Sequence, residues 1–196
     1  MPPKLHLENI SLKYGKRSLF THITLFMEGG EAWAVTGPNG SGKSSFLSLL
    51  AGYSSPTEGK IIRQVPLRSI FWQSPHVQPP PELLVRDVVK DWQRQKAIAL
   101  PQDFLLQWDL PPDKPLYVLS SGMRQRLLVA LALYAKEGLI LLDEPTAFLD
   151  ESYRLRVHEL LRSRIGEPHL LIVCATNDPE EVKLFQKTLH LPAYAA

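Results

Sequence analysis

The sequence contains very little cysteine. Cys174 is the single cysteine among 196 residues, which excludes an internal disulfide framework and suits a reducing compartment. Because Cys174 lies in the apolar run of residues 170–175, we interpret it as a packed strand residue and not as a reactive thiol.

Long apolar runs and an excess of charge are missing too. No run approaches the roughly 20 apolar residues that cross a bilayer, and residues 1–8 alternate polar and apolar side chains without the apolar centre of a signal peptide. We therefore expect a cytoplasmic protein, which can still dock on a membrane protein. The formal net charge is only +2 with both signs interspersed, so a nucleic-acid partner is not expected.

What the sequence does contain is a glycine-rich segment between two apolar runs. Residues 32–35 predict a buried strand, and residues 46–51 belong to a predicted helix that begins at about residue 43. The segment between them contains Gly37, Pro38, Asn39, Gly40, Ser41, Gly42, Lys43, Ser44 and Ser45. Strand, glycine-rich turn and helix in this order are typical of a phosphate-binding loop. Its backbone N–H groups and the N-terminus of the helix would surround an anion.

Three side chains of this segment have expected roles in binding a nucleoside triphosphate. Lys43 would supply a positive charge to the outer phosphates, Ser44 an oxygen ligand for Mg²⁺, and Ser45 a hydrogen bond to an inner phosphate. The alternative is a glycine-rich turn that caps a helix and binds nothing. The motif by itself leaves kinases, GTPases, helicases and transport ATPases open.

The order of apolar runs predicts an α/β fold in one domain, residues 1–196. Residues 5–35 read as short antiparallel strands, and further strands are predicted near residues 60–62, 70–72 and 187–189. Proline clusters bound a helical insert at about residues 75–118, which divides the nucleotide-binding core into residues 1–74 and 119–196. Helices and strands then alternate, at residues 121–134, 139–142, 151–165 and 170–175. Such alternation predicts a parallel sheet flanked by helices on both faces.

Two acidic residues, Asp143 and Glu144, follow the predicted strand at residues 139–142. In a parallel sheet the carboxyl ends of the strands meet the ligand. Asp143 is therefore placed to hold Mg²⁺ through water, and Glu144 to polarise the attacking water as a general base. The alternative is a strand that ends in acids because a turn begins at Pro145.

Residues 119–126, which include the start of the helix predicted at residues 121–134, carry a specific resemblance. They match the signature of ATP-binding-cassette (ABC) ATPases, Leu-Ser-Gly-Gly-Gln followed by Arg-Gln-Arg, at Leu119, Ser120, Gly122, Arg124, Gln125 and Arg126, and they depart at Ser121 and Met123. The resemblance implies the P-loop NTPase core of that family, ATP hydrolysis, and a head-to-tail dimer that sandwiches two ATP molecules. Ser120 and Gly122 would then contact the γ-phosphate of ATP held by the second copy. The alternative is an ordinary N-capped helix.

Three further segments are similar to the same family. Tyr14 matches the aromatic residue that stacks on adenine, with a tyrosine packed in the core as the alternative. Gln73 matches the glutamine that reaches metal and water and links the core to the insert. Residues 147–150, ending in Asp150, match the loop that crosses the dimer interface, with a plain helix N-cap as the alternative.

One position departs from the family pattern in a way that bears on rate. The family has Thr-His-Asp where this chain has Thr176, Asn177 and Asp178. Asparagine can donate a hydrogen bond to a phosphate, but it cannot become a cation near neutral pH. Because Glu144 is retained, we predict hydrolysis that is slow or depends on a partner. Asn177 and Met123 also leave open a regulatory or structural cassette that binds ATP without useful hydrolysis.

The resemblance favours a transporter subunit over the soluble cassettes that act on DNA repair or ribosomes, because the chain has no second cassette, coiled coil or zinc insert. Such a subunit works as a homodimer on a separate membrane permease, which would hold it at the inner face of the cell membrane. Trp92, Phe104 and Trp108 would line a groove for a permease helix or fill the insert's own core. The compact length resembles cassettes of haem-exporter type, so export is the favoured direction.

Overall fold

The first sheet of the structure is antiparallel. The structure is a computed structural model, and it describes residues 2–15, 17–95 and 98–192. Strand β1 (Lys4–Tyr14) pairs with β2 (Arg17–Glu28), and β4 (Glu58–Gln64) pairs with the other side of β1. Short strands are expected over residues 5–35, but β1 and β2 within that range are long, with 11 and 12 residues. Register shifts along the β1–β2 ladder let it bend and continue.

The second sheet has five parallel strands in the order β5-β6-β7-β3-β8. They are β3 (Ala32–Thr36), β5 (Ile70–Gln73), β6 (Gly138–Asp143), β7 (Leu170–Ala175) and β8 (Lys187–His190). Asp143 pairs with Ala175, which also pairs with Val35 of β3. Gln73 pairs with Leu142 in the same way. The carboxyl ends of β3, β5, β6 and β7 therefore lie at the same edge of the sheet. The residues that follow these strands lie close together there.

Helices cover both faces of the parallel sheet, so the expected α/β architecture is confirmed. Helix α1 (Lys43–Ala51) packs on one face, and α4 (Ser121–Leu133) and α5 (Glu151–Arg164) pack on the other. Strand β7 is buried along its whole length, as a strand between two helical layers should be. Cys174 is fully buried there, and burial raises the pKa of its thiol well above the ordinary value.

The described residues between β5 and α4 include two α-helices, α2 (Val85–Gln95) and α3 (Phe104–Gln107). This segment shares an apolar core with α4 and α5. Phe104 and Trp108 are only 3% and 0% exposed, so both contribute to a core. The interpretation as a groove residue is wrong for Trp108, whereas Phe104 also borders a groove beside α2 and α3. Trp92 is half-buried at the rim of the core. Residues 96 and 97 of the expected insert, and residues 1, 16 and 193–196 of the expected domain, lie outside the described ranges.

The short helix α6 (Pro179–Val182) follows β7 and was not expected from the sequence. Asp178 caps it by accepting a hydrogen bond from the Glu180 N–H. Among the helices that the structure describes, none combines the length and the apolar character needed to cross a membrane.

Candidate functional site

The glycine-rich loop between β3 and α1 has a backbone that only glycine adopts readily at several positions, among them Gly42 and Gly37. Gly42, the N-cap of α1, has φ 97°, and Gly37 has φ 146°. A Cβ atom at Gly37 would lie 2.4 Å from the carbonyl oxygen of Leu191. Because Gly42 has no side chain, no capping side chain accepts from the first N–H groups of α1. The end of α1 is therefore built to receive an anion from outside the chain.

Lys43 lies beneath this loop. Its side chain is buried, with 7% exposed, and its Nζ donates a hydrogen bond of 2.8 Å to the carbonyl oxygen of Gly37. This contact folds the loop around the ammonium group. A buried positive charge at a helix N-terminus gives the loop a strong preference for anions.

A cavity of about 480 Å³ opens above the loop. Its walls include Asn39, Gly40, Gly42, Lys43, Ser44 and Ser45 of the predicted phosphate site, together with Glu144 from the end of β6 and Tyr14 from the end of β1. Tyr14 is 57% exposed, so the alternative that it packs in the core is wrong. The structure therefore brings residues from three distant parts of the chain to one cavity. Pro38 and Ser41 belong to the same loop, where the Ser41 N–H donates to the Pro38 carbonyl oxygen at 3.0 Å.

Asp143 lies at the buried end of this region, with 3% of its surface exposed. Burial raises the pKa of its carboxyl group, and the charge of Glu144 adds to that rise, whereas a hydrogen bond from Ser44 and the charge of Lys43 oppose it. Its Oδ2 atom is buried without a hydrogen-bond partner. A buried carboxylate oxygen without a partner beside a serine hydroxyl suits a hard cation such as Mg²⁺.

Hydrogen bonds through Gln73 and Gln125 connect Asp143 and Glu144 to helix α4, which contains Gln125. Gln73 Oε1 accepts from the Asp143 N–H at 3.0 Å, and its Nε2 donates to Gln125 Oε1 at 3.3 Å. Gln125 Nε2 donates in turn to the carbonyl oxygens of Glu144, at 2.9 Å, and of Pro145, at 3.0 Å. Glu144 itself has φ 50°, an uncommon conformation for a non-glycine residue. The Gln125 amide thus supports the strained backbone of Glu144, the expected general base.

Sequence reasoning missed the part that Gln125 plays, although it had matched the residue to the signature. The signal was its place between Arg124 and Arg126 in that motif. It also missed Arg17, whose Nη2 donates to the Gly40 carbonyl oxygen at 3.2 Å and whose side chain lines the loop cavity. The sequence feature that could have indicated Arg17 is its position shortly after Tyr14, the residue expected to stack on adenine.

Asn177 lies directly against the phosphate loop. Its Oδ1 accepts from the Gly37 N–H at 3.2 Å, and its side chain is exposed. Because the carboxamide oxygen faces Gly37, the amide NH₂ group is the end that can donate elsewhere. The structure therefore joins the segment after β7 to the start of the loop.

Ser120 and Gly122 do not line the loop cavity. They line a separate groove of about 330 Å³ with residues of the 148–150 segment. Ser120 caps α4, where its Oγ accepts from the Met123 N–H at 3.1 Å. A Cβ atom at Gly122 would lie 2.8 Å from the carbonyl oxygen of Phe148, so the two segments are in close contact. Within one copy of the chain the two predicted anion sites remain apart.

A phosphate loop, a strand ending in two acids and a capped signature helix on this α/β core define a nucleotide-binding cassette. The family model for "ABC transporter" matches residues 20–147, and the chain belongs to that family. It is 30% identical to the "Probable iron export ATP-binding protein FetA" of Escherichia coli (strain K12), over 98% of this chain and 93% of that protein. It is 32% identical to the cytochrome c biogenesis ATP-binding export protein CcmA of Brucella abortus (strain 2308), over 90% and 86%. It is equally identical to the zinc import ATP-binding protein ZnuC of Yersinia pestis, over 88% and 70%.

Solved structures agree with this family. An ATP-binding cassette dimer in a post-hydrolysis state with ADP and Pi has a TM-score of 0.80 and 23% identity, covering 95% of this chain and 94% of that one. This likeness shows the fold. A chain of the structure described as "An inward-facing conformation of a putative metal-chelate type ABC transporter" has a TM-score of 0.75 and 31% identity, covering 97% of this chain and 80% of that one.

Proposed function

We propose that this chain is the ATP-hydrolysing subunit of an ABC transporter, which dimerises on ATP and drives a separate membrane permease. The observation that carries the proposal is the cavity shared by the phosphate loop, Lys43 and Glu144. Lys43 and the N–H groups of α1 bind the phosphates, and Tyr14 stacks on the adenine. Glu144 accepts a proton from the attacking water as general base.

Mg²⁺ belongs to this proposal because the donor set suits it. Ser44, Asp143 and Gln73 would hold the ion, which when bound neutralises charge on the phosphates. Among the residues that the structure describes, no three histidine, cysteine or acidic side chains are grouped so that they could hold a metal ion by themselves. Few protein ligands are expected when the nucleotide supplies the remaining oxygens.

The separate groove at Ser120 and Gly122 supports a composite site. In a head-to-tail dimer, this groove of one copy would close on the γ-phosphate held by the other. Ser120 Oγ already accepts from the Met123 N–H, so its O–H is free in orientation to donate to the phosphate. Asn177 would donate its amide N–H to the same phosphate.

A second cavity supports docking of a permease segment, and with it a position at the inner face of the cell membrane. This cavity of about 420 Å³ lies between β5, the following loop and α2. Tyr53, Leu67, Trp72 and Trp92 line it, and Tyr53 and Leu67 are 67% and 79% exposed. Aromatic and aliphatic side chains exposed together mark protein interfaces.

Export is the direction that we propose, with a haem-exporter-like system as the more specific form. The names of FetA and CcmA describe export, and that of CcmA refers to cytochrome c biogenesis, whereas that of ZnuC describes import. Capture of a polytopic membrane protein by the purified chain would support the transporter role. Recovery with ribosomes or DNA and none with membranes would contradict it.

Hydrolysis is tested by steady-state phosphate release from the wild-type chain, with its captured permease, and from Glu144→Gln. Loss of a general base should reduce turnover by about 10²- to 10⁴-fold while ATP still binds. If both proteins released phosphate at the same low rate, the chain would be a regulatory cassette that binds ATP without useful hydrolysis.

Slow turnover is the finer part of the proposal, and Asn177→His tests it. A hydrogen bond to a charged group is worth about 1.5–3 kcal/mol, so its incomplete replacement by Asn177 should slow hydrolysis by roughly 10- to 100-fold. We expect Asn177→His to raise turnover within that range in the same assay. Unchanged turnover in the presence of the permease would show that Asn177 does not limit the rate.

A further inference from the structure

Arg17 is a positively charged residue on the wall of the loop cavity that the proposed mechanism does not use. It stands at the start of β2, where the hairpin register pairs it directly with Tyr14. Paired residues on neighbouring antiparallel strands project from the same face. Tyr14 and Arg17 therefore reach the cavity side by side, and both line it.

The contact between Arg17 and the loop fixes the direction in which the guanidinium group projects. Its Nη2 donates to the carbonyl oxygen of Gly40 at 3.2 Å. A Cβ atom at Gly40 would lie 3.1 Å from that same nitrogen, so a glycine lets the guanidinium group approach the backbone closely. Gly40 lies in the middle of the predicted phosphate loop, between Gly37 and Lys43.

The charges around the cavity make this position suitable for an anion. Lys43 and Arg17 bring positive charge to its walls, and Glu144 brings negative charge. The planar fork of an arginine matches phosphate oxygens better than a lysine does. Lys43 lies under the loop at the start of α1, whereas Arg17 lies beside Tyr14 at the expected adenine end.

We propose that Arg17 binds the inner phosphates of the nucleotide and acts as a second cation of the phosphate site. This inference rests on the proposed function and adds a binding residue to it. Because ADP and ATP share the inner phosphates, Arg17 favours the binding of both nucleotides alike. It holds Gly40 with one N–H group while its charge acts on the phosphates.

The test is isothermal titration of ATP and ADP into wild-type chain and four variants. Loss of one exposed charge-assisted contact weakens binding by about tenfold, and we expect this for Arg17→Ala with both nucleotides. Arg17→Gln keeps an N–H donor for Gly40 without the charge and should lose as much. Arg17→Lys keeps the charge and should retain more affinity than either.

Lys13→Ala is the matched control. It removes one positive charge from the same hairpin, but Lys13 pairs with Glu58 at 2.8 Å and is not among the residues that line the cavity. Its affinities should equal those of the wild type. Equal affinities for Arg17→Gln and the wild type, or a loss confined to ATP, would overturn the inference while leaving the proposed function intact. A wild-type chain that bound neither nucleotide would overturn both.

Discussion

The N-termini of α1 and α4 are two predicted anion sites that are built differently. Helix α1 is capped by Gly42, which offers no side chain, and Lys43 is buried below it. Helix α4 is capped by Ser120, whose hydroxyl occupies the Met123 N–H. The N-terminus of α1 contributes Lys43 and lines a cavity together with Glu144, whereas the N-terminus of α4 lines a groove together with Phe148.

This difference indicates that the N-terminus of α1 binds the nucleotide, whereas the N-terminus of α4 completes the site in a dimer. An N-terminus without a side-chain cap leaves its N–H groups to a ligand, so the α1 end can hold a nucleotide within one copy. An end already capped by its own serine is a stable helix start without any ligand. We infer that the α4 end acts only when a second copy presents a phosphate to it.

The pKa values of the acidic residues near the two helix N-termini, Asp143 and Asp150, are shifted in opposite directions. Burial raises the pKa of Asp143, near α1. Hydrogen bonds from the Ser152 hydroxyl and the Tyr153 N–H lower the pKa of Asp150, in the groove near α4. The folded chain therefore disfavours the ionised form of Asp143, near α1, and favours the ionised form of Asp150, near α4.

The largest effect expected from this comparison is on nucleotide binding, from Lys43→Ala. It removes the buried cation of the α1 end, and a charged hydrogen bond of about 1.5–3 kcal/mol corresponds to a loss of up to about 100-fold in affinity. Isothermal titration with ATP measures it. Lys60→Ala, which removes an exposed lysine paired with Glu8, should leave the affinity unchanged. An equal loss in both variants would mean that net charge, and not the α1 end, holds the nucleotide.

The next effect is on dimerisation, from substitutions of Ser120 in a Glu144→Gln background that keeps ATP bound. Ser120→Ala should weaken ATP-dependent dimerisation by about tenfold through the lost hydrogen bond to phosphate. It should also destabilise the fold by about 1 kcal/mol, because it removes the cap. Size-exclusion chromatography with light scattering measures the dimer, and calorimetry measures the stability.

Ser120→Asp separates the two functions of this residue. Aspartate caps a helix as well as serine does, so the stability should be retained, whereas its charge should repel a γ-phosphate and abolish the dimer. A dimer as strong as that of the parent in both variants would contradict a composite site at α4.

The smallest effect expected is on stability, from Asp143→Asn without Mg²⁺. The pKa of Asp143 in the folded chain is raised above the ordinary value of 3.8. The ionised carboxylate therefore lowers the free energy of unfolding at pH values above the folded pKa, and this effect is absent below pH 3.8. Asp143→Asn should therefore raise Tm by a few degrees at neutral pH, and the gain should vanish as the pH falls towards 3.8. Thermal unfolding across this pH range measures it.

Asp150→Asn is the comparison variant for that series. The folded pKa of Asp150 is lowered, so its ionised form stabilises the fold above the ordinary value of 3.8. Its replacement should lower Tm at neutral pH or leave it unchanged, and any difference should disappear as the pH falls through the folded pKa. A rise in Tm with both variants would show that net charge and not burial is responsible.

Much of this architecture was predictable because its signals are local. Strand β7 was predicted with the bounds that the structure has, and α1 ends at Ala51, immediately before Gly52, which has φ 82°, as is typical of a glycine C-cap. The bounds of long strands were less accessible, because the bulges of β1 and β2 depend on pairing between them. Burial of Phe104 and Trp108 depends on α4 and α5, which lie far along the chain.

The sequence by itself determined the α/β class, the phosphate loop and the two acids, because each is a run of neighbouring residues with its own backbone preference. It also carried the family signature at Ser120 and Gly122. Only the tertiary structure decided which of these residues meet. It joined Gln73, Gln125 and the Glu144 carbonyl in one chain of hydrogen bonds, and it placed Arg17 on Gly40. Such contacts follow from strand order and register, which no single segment encodes.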